Sequence, residues 1–382
     1  MSRKPEADVA IYSPLAAALY VEGGGHTGGA EIQSFYLARA LAADGLRVRH
    51  VIEPELGQRL REDESLVEPI VLRPEPTARH FARYRGILSS LRAANARVYI
   101  QRSAGYETGV VAAWARLHGR CFVFSSSSEA DFAVDRETAR MTGAGLHLRR
   151  TIIQYRLGLT LANAVVVQSE TQRQRGRQRF GFDARVIRSF AEATSGPQEP
   201  REAFLWIGGI VDVKDPLAYV DLARCVPEAR FWMIATDRDV GRELGAAVRS
   251  AAADVPNLEL LSPRPRHELP VLYRRAVAVV NTSKMEGFPN TFLEAWSNGT
   301  PALSLRVDPD GVIEANDLGA VAGGSIERLA DAARERWAGR HEIDPGRVLS
   351  YVRREHDPSV VGPRWAALVE ELSARSASRH RR

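Results

Sequence analysis

Short apolar runs of the kind that form buried strands alternate with helix-patterned segments along nearly the whole chain. The predicted strands cover residues 8–12, 46–52, 69–72, 97–101, 120–124, 164–168 and 184–187 in a first series, and 203–207, 229–234, 258–261, 277–281 and 301–305 in a second. Strands that alternate with helices form parallel sheets joined by right-handed crossovers. The sequence therefore predicts an α/β fold of two Rossmann-like domains, with ligands at the carboxyl ends of the strands in an interdomain cleft.

The domain boundaries follow from the length of the chain and from a break in this alternation. One hydrophobic core rarely serves more than ~250–300 residues, and the chain has 382. Between the two series lies a segment with Thr194, Gly196, Pro197 and Pro200 close together. We therefore predict a first domain at 1–190, a linker at 191–201, a second domain at 202–355, and a C-terminal helix with a basic tail at 356–382.

Composition narrows the class of protein. No apolar run reaches the ~18–20 residues that a membrane-spanning helix needs. The two cysteines, Cys121 and Cys225, are predicted to be small buried residues in a reducing compartment, so we expect a cytoplasmic protein. The net charge is +5, and only three basic residues are lysines, at positions 4, 214 and 284. This basic charge balance suits a partner that bears phosphate groups, or the surface of a membrane. No nucleic-acid partner is predicted.

Charged residues elsewhere give weaker signals. Acidic pairs at positions 129/131, 237/239 and 308/310 have the spacing of metal ligands, but none is supported by a histidine or cysteine. We therefore predict no metal site and no cofactor. Arginines at positions 173, 175, 177 and 179 predict either a solvated helix face, which is favoured, or a patch for lipid headgroups at a membrane surface.

The first glycine cluster runs from Gly23 to Glu31 and precedes a helix predicted over 30–43. Gly23, Gly25 and Gly28 satisfy the dinucleotide pattern G-x-G-x-x-G, yet the preceding strand ends about ten residues too early for that pattern. Gly28 and Gly29 are better placed as a helix N-terminus, where bare amides and the helix dipole attract an anion. The alternative is a glycine turn without a ligand.

A second cluster follows the first strand of the second series. Gly208 and Gly209 come at the end of an apolar run, and Lys214 lies just before a helix predicted to start near Pro216. A lysine at a strand-to-helix turn can act as a compact charge on a phosphate. The alternative is a solvated loop lysine.

The third cluster, at residues 284–301, joins a strand to a helix that ends at Gly299 and is the most informative. Glu286 lies in the loop and Glu294 about one turn into the helix, and between them the amides near the helix start can converge on a diphosphate. Two carboxylates beside an anion site suit sugar and ribose hydroxyls, which donate hydrogen bonds to them. A capping box formed by Thr291 and Glu294 is an alternative, but it leaves Glu286 unexplained.

Residues 286–301 resemble the E-G-F…E-A…G-x-P signature of the retaining GT-B glycosyltransferases of family four, the glycosyl transferases group 1. Residues 28–31 are similar to the N-terminal G-G-A-E loop of that family, residues 204–214 to its donor-phosphate segment, and residues 257–269 to its nucleobase loop. The resemblance spans nearly the whole chain in the expected order. It implies an enzyme of GT-B fold that transfers a sugar, without a metal, from a UDP- or GDP-linked donor to an acceptor hydroxyl. A lipid-linked saccharide is one candidate acceptor, with peripheral contact at the inner membrane face.

The resemblance also implies a role for each matching residue. Glu286 and Lys214 are the catalytic candidates, because Glu286 would hold the hydroxyls of the transferred sugar and Lys214 would neutralise the diphosphate. Glu294 would bind the ribose diol, and backbone around Arg264 would contact the base. The remaining donor-binding candidates are Gly28, Gly29, Gly208, Gly209, Gly287, Phe288, Asn290 and Thr291.

Two positions depart from the family. Gly209 stands where the family has an arginine, and residues 125–128 are serines where a histidine is frequent. One hypothesis is that Arg102, at the end of a strand of the first domain, replaces the missing cation. A catalytically idle sugar-nucleotide-binding or scaffold protein of the same fold is the alternative function. A nicotinamide-dependent oxidoreductase that uses Gly23, Gly25 and Gly28 is a third hypothesis, against which the late position of this glycine pattern after its strand argues.

Overall fold

A computed structural model describes residues 4–24, 27–55, 57–61, 66–72, 80–132, 148–194, 196–197, 199–236, 242–342 and 344–379. These residues form two compact units. The first contains the described residues from 4 to 190 and the C-terminal residues from Pro358 onward, and the second contains Ala191–Asp357.

The first unit has seven strands and helices between them in the part of the chain that the structure describes. Its elements are β1 (Ala7–Tyr12), α1 (Gly29–Ala43), β2 (Val48–Ile52), β3 (Val67–Val71), α2 (His80–Ala94), β4 (Ala96–Arg102), α3 (Glu107–Leu117), β5 (Cys121–Ser125), α4 (Leu148–Leu161), β6 (Ala164–Val167), α5 (Glu170–Phe180) and β7 (Arg185–Val186). The strands form one parallel sheet in the order β3-β2-β1-β4-β5-β6-β7.

The second unit contains a six-stranded parallel sheet in the order β10-β9-β8-β11-β12-β13. Its elements are β8 (Ala203–Gly209), α6 (Pro216–Cys225), β9 (Phe231–Thr236), α7 (Arg242–Ala253), β10 (Leu258–Leu261), α8 (Leu269–Arg275), β11 (Ala276–Asn281), α9 (Asn290–Ser297), β12 (Ala302–Ser304), α10 (Val312–Ala315), β13 (Gly319–Val321), α11 (Ile326–Ala338) and α12 (Gly346–Glu355). The last helix, α13 (Pro358–Arg379), belongs to the first unit.

The chain reverses its direction of winding at one point in each sheet. In the first unit this point lies between β1 and β4, and in the second it lies between β8 and β11. A crevice opens at the carboxyl ends of the strands at such a topological switch point. The loops that follow β8 and β11 therefore lie side by side, although they are far apart in sequence.

Each unit builds a core on both faces of its sheet. The inward residues of β8, β9 and β11 pack against α6, α7 and α11 on one face, with Phe204 and Phe231 fully buried. In the first unit, α13 inserts an apolar stripe that includes Trp365 and Leu368 into the cluster formed by α1 and the sheet. This packing fixes the strand ends that carry the loops described below.

The predicted α/β fold with two Rossmann-like sheets is confirmed, and each predicted strand overlaps a strand of the structure. The prediction that a buried strand ends in two glycines is confirmed, because Gly208 and Gly209 are the last two residues of β8 and pair with Ala235 and Thr236 of β9. Two local predictions are wrong. Strand β13 was missed, because three residues are too few for a periodic pattern. Cys225 is exposed, because it lies at the last position of α6.

Candidate functional site

Lys214 and Glu286, 72 positions apart in the chain, are in contact. Lys214 ends the short 3₁₀ turn Asp212–Lys214 after β8, and Glu286 lies in the loop after β11. The Lys214 Nζ donates to Glu286 Oε1, and Ser283 Oγ donates to the same oxygen at 2.8 Å. The Lys214 side chain is 32% exposed and that of Glu286 is 15% exposed, so both reach solvent from a partly enclosed position. Adjacent strands thus bring the two predicted catalytic residues together.

Buried hydrogen bonds join the two loops beneath this pair. Thr282, which is fully buried, donates from Oγ1 to the Lys214 carbonyl at 2.9 Å and accepts from Trp206 Nε1 at 3.0 Å. The Lys284 backbone N–H donates to the Val213 carbonyl at 2.8 Å. Because buried polar groups are costly to leave unsatisfied, these bonds hold the loops in register.

Two further ion pairs surround the same turn. Lys284 Nζ lies 2.7 Å from Asp212 Oδ1, and Arg306 Nη1 lies 2.9 Å from Asp215 Oδ2. Arg306 also donates to the Thr282 carbonyl at 2.9 Å. Lys214, Lys284 and Arg306 therefore each have a carboxylate partner among the residues that the structure describes. No sequence pattern pointed to Arg306, because it follows β12, and only the strand order of the sheet shows that β12 lies beside β11.

The N-terminus of α9 directly follows the loop of Glu286. The helix begins at Asn290, Pro289 precedes it, and no acidic residue lies in its first turn. The first-turn N–H groups of a helix point out of its N-terminus, where the dipole favours an anion. Phe288, in the turn before the helix, is buried, and its ring centroid lies 5.1 Å from that of His356. This packing holds the turn against the core of the second unit. Gly287 is buried as well.

Glu294, in the second turn of α9, is held by two side chains. Tyr273 donates its hydroxyl to Glu294 Oε2 at 2.5 Å, and Arg266 Nη1 lies 2.9 Å from Glu294 Oε1. Burial, reinforced by the Glu294 charge, raises the pKa of Tyr273 well above its usual range, so the hydroxyl stays protonated and donates. The capping-box alternative is wrong, because Thr291 lies within the helix and no side chain caps it.

Arg264 lies beyond β10 and pairs with Glu268, 3.5 Å away, on an exposed surface. The arginine that reaches Glu294 is Arg266, which the sequence reading did not single out. Arg264 and Arg266 are two positions apart in the short segment between β10 and α8, which ends in the 3₁₀ turn Arg266–Glu268. This segment is too short for a periodic pattern to show which of the two side chains points inward. Only the packing of α8 beside α9 identifies Arg266.

In the first unit, α1 begins at Gly29 with Gly28 as its N-cap, so both glycines lie at a helix N-terminus as predicted. A Cβ at Gly28 would lie 2.4 Å from Glu31 Oε2, so the Glu31 carboxylate folds back over this glycine. The dinucleotide-binding pattern should begin where the first strand ends, and here it does not. β1 ends at Tyr12, and a separate 3₁₀ segment lies between that strand and Gly23. Gly25 lies outside the described residues.

The serines that stand in place of the family histidine surround a buried carboxylate. Asp131 Oδ2 accepts from the Ser127 N–H at 2.7 Å, the Ser128 N–H at 3.2 Å and Ser126 Oγ at 3.0 Å. Glu129 instead contacts Arg175 of α5. Both carboxylates of this acidic pair therefore make local contacts with protein groups. Among the described residues, no group of three or more His, Cys, Asp or Glu could hold a metal ion. The pair at 237/239 lies outside them.

The fold and this site define a two-unit α/β protein with a lysine–glutamate pair beside a helix N-terminus at the switch point of its second sheet. Residues 204–338 match the family model described as glycosyl transferases group 1, and residues 28–190 match the one described as glycosyl transferase 4-like domain. Together these matches cover well over half of the chain. The chain belongs to the group 1 glycosyltransferases of GT-B fold.

Solved structures agree on the fold. The sucrose-phosphate synthase of Thermosynechococcus elongatus has a TM-score of 0.77 at 17% identity, with 97% of this chain and 100% of that chain covered. Anabaena HepE, solved with UDP and glucose, has a TM-score of 0.71 at 14% identity, with 95% and 99% covered. WaaG, a glycosyltransferase involved in lipopolysaccharide biosynthesis, has a TM-score of 0.65 at 14% identity, with 94% and 99% covered. No curated protein sequence matches the chain.

Proposed function

We propose that the protein transfers a sugar from a nucleoside diphosphate sugar to an acceptor hydroxyl and retains the anomeric configuration. The observation that carries this proposal is the contact between Lys214 and Glu286 beside the N-terminus of α9. The Lys214 ammonium and the helix N-terminus suit the phosphates of such a donor, and the Glu286 carboxylate suits its hydroxyls.

In this proposal the donor separates the two side chains. Lys214 and the first-turn amides of α9, at Asn290 and Thr291, bind the diphosphate, while Glu286 accepts hydrogen bonds from the hydroxyls of the sugar. Ser283 keeps the Glu286 carboxylate in place after Lys214 has turned to the phosphates. The charge that develops on the leaving diphosphate is then stabilised by groups already oriented toward it, so no carboxylate is needed as a nucleophile.

Glu294 is proposed to bind the ribose diol. Tyr273 and Arg266 each use one lone pair of its two oxygens, and a carboxylate has about four. Lone pairs therefore remain for two hydroxyl donors, and the side chain is 21% exposed, which leaves it accessible.

The nucleobase of the donor is uracil or guanine in this proposal. HepE was solved with UDP and glucose, which favours a UDP-linked donor as the first to test. Cell-surface polysaccharide or glycolipid synthesis, with a lipid-linked saccharide as acceptor, is the proposed context. Among the described residues no helix is long and apolar enough to cross a membrane. We propose a cytoplasmic protein with peripheral contact at the inner membrane face.

The basic run on α5 gives little support to that membrane contact. Arg173 pairs with Asp183 at 2.9 Å and also approaches Glu170, and Arg175 contacts Glu129. Arginines whose charge is already partly neutralised attract anionic lipid weakly. A solvated, salt-bridged helix face therefore explains this run better than a lipid patch does.

The first experiment measures the binding of UDP, GDP and the matching nucleosides to Lys214→Ala. We expect affinity for the cognate diphosphate to fall by ~1.5–3 kcal/mol, because a charge-assisted contact is lost, and affinity for the nucleoside to stay unchanged. Lys4→Ala, in the first unit, is the matched control. Equal losses for nucleoside and diphosphate would contradict the phosphate role of Lys214.

The second experiment compares two glutamine variants. Glu286→Gln should lower turnover far more than nucleotide affinity, because the carboxylate acts on the sugar as charge develops. Glu294→Gln should raise the dissociation constant of the nucleotide. Glu335→Gln, at an exposed position of α11 in the same unit, is the control. Normal turnover in the first variant together with normal affinity in the second would refute the roles of both carboxylates.

One observation favours a second candidate function, a sugar-nucleotide-binding protein without turnover. Gly209 replaces a family arginine, and the three cations around the turn are each paired with a carboxylate. Donor consumption in the presence of hydroxyl acceptors separates the two. Tight donor binding without any turnover, including hydrolysis, would favour the binding protein.

A further inference from the structure

A sugar nucleotide carries two negative charges on its diphosphate, and Gly209 supplies no side chain to meet either of them. Within the second unit, the groups assigned to this charge so far are Lys214 and the N-terminus of α9. A second cation from the same unit would complete the site.

Lys284 has the position that this role requires. It lies two residues before Glu286, and its N–H donates at 2.8 Å to the carbonyl of Val213, the residue next to Lys214. The backbone of Lys284 is therefore fixed against the turn that carries Lys214, by a bond that does not involve the Lys284 side chain. The ammonium group then reaches across the same turn to Asp212 at 2.7 Å.

The ion pair between Lys284 and Asp212 costs little to break. The side chains of Lys284 and Asp212 are 40% and 64% exposed, and an ion pair in such a position contributes little to stability because water screens it. The pair can therefore open toward a ligand at small cost. Lys214, by contrast, faces a carboxylate that is mostly buried.

The competing candidate lies in the other unit. Arg102 donates from Nη1 to Ser125 Oγ at 3.1 Å, and its Nε is buried without a hydrogen-bond partner among the described residues. Its guanidinium is thus enclosed at the carboxyl end of β4, the central strand of the first unit's sheet. No such enclosure restrains the Lys284 ammonium.

We propose that Lys284 is a second diphosphate-binding cation that replaces the missing arginine at Gly209, and that Asp212 holds it in place until the donor binds. This inference rests on the proposed function, because it assigns a ligand to the same site. A structural alternative is that Lys284 and Asp212 merely latch the two loops together. The two readings differ in what they predict for Asp212.

The test measures the dissociation constants of UDP, GDP, uridine and guanosine for Lys284→Ala, Lys284→Arg and Asp212→Asn. For the diphosphate that binds, we expect about tenfold weaker binding in Lys284→Ala and near-normal binding in Lys284→Arg. Asp212→Asn should bind the diphosphate more tightly than the unmodified protein, because it releases the lysine and removes a negative charge. Binding of the nucleoside should stay unchanged in all three.

Rescue provides an independent measurement. Adding Gly209→Arg to Lys284→Ala should restore most of the lost diphosphate affinity, since it places a cation where the family has one. Arg102→Ala should leave that affinity unchanged.

The failures are distinguishable. If Asp212→Asn weakens the diphosphate as Lys284→Ala does, the latch is correct and the proposal is overturned. Unchanged affinity in Lys284→Ala overturns it as well, and a loss confined to Arg102→Ala assigns the second cation to the first unit. If the unmodified protein binds neither diphosphate more tightly than its nucleoside, the proposed function itself fails, and this inference fails with it.

Discussion

Tyr273→Phe removes one hydroxyl from the interior of the second unit, and the structure assigns that hydroxyl a single charged acceptor. The ring is 1% exposed, and its oxygen lies 2.5 Å from Glu294 Oε2. Because phenylalanine fills the same volume, the variant changes one hydrogen bond and leaves the packing of α8 against α9 intact.

The magnitude follows from the environment of Glu294. Removing the donor from a charged acceptor costs ~1.5–3 kcal/mol. Arg266 still neutralises the carboxylate, and the side chain is 21% exposed, so water can replace part of the lost bond. We therefore expect the lower end, a loss of about 1.5 kcal/mol in the free energy of unfolding. If Glu294 binds the ribose, its loosened carboxylate should also raise the dissociation constant of the nucleotide several-fold.

The assay pairs denaturant unfolding with nucleotide titration and uses Tyr219→Phe as the matched control. Tyr219 is also fully buried in the second unit, but its hydroxyl donates to the Phe204 and Trp232 carbonyls, both 3.0 Å away. It should lose stability without any change in nucleotide affinity. If both variants lose stability alike and neither changes affinity, Tyr273 does not orient a ligand-binding group and the reasoning about Glu294 is refuted.

Two further predictions concern stability. Burial lowers the pKa of His50 to about 3, so the unfolded chain takes up this proton at a higher pH than the folded protein does. Stability is therefore lost as the pH falls below ~6.5, by about 2 kcal/mol at pH 5. His50→Gln should flatten this pH dependence of unfolding, and an unchanged pH profile in that variant would contradict the assignment. Gly319→Ala should cost more than ~3 kcal/mol, because its Cβ would lie 1.7 Å from the Ala302 carbonyl oxygen, whereas Gly311→Ala, at a positive φ in open space, should cost about 1 kcal/mol. Similar losses in the two glycine variants by denaturant unfolding would show that β13 yields to the added methyl group.

Much of the secondary structure could be predicted from the residue types of short segments. A buried parallel strand needs a run of apolar residues, and a helix needs a start and a stop, so β10 is predicted to the residue and α1 to within one. The same reasoning failed where a signal is too short or has two local meanings. The three residues of β13 carry no period, and Thr291 with Glu294 has the spacing of a capping box although Tyr273 and Arg266 bind that glutamate.

By itself the sequence determined the alternation of strands and helices and the break between the two series of strands. It also determined that Lys214 and Glu286 each lie in a loop between a strand and a helix. These properties depend on neighbours within about ten residues, so spacing alone encodes them. Only the tertiary structure decided that β8 lies beside β11, and hence that Lys214 meets Glu286 and Lys284 meets Asp212. The order of strands in a sheet is set by how helices pack across its faces, and that packing depends on the whole unit at once.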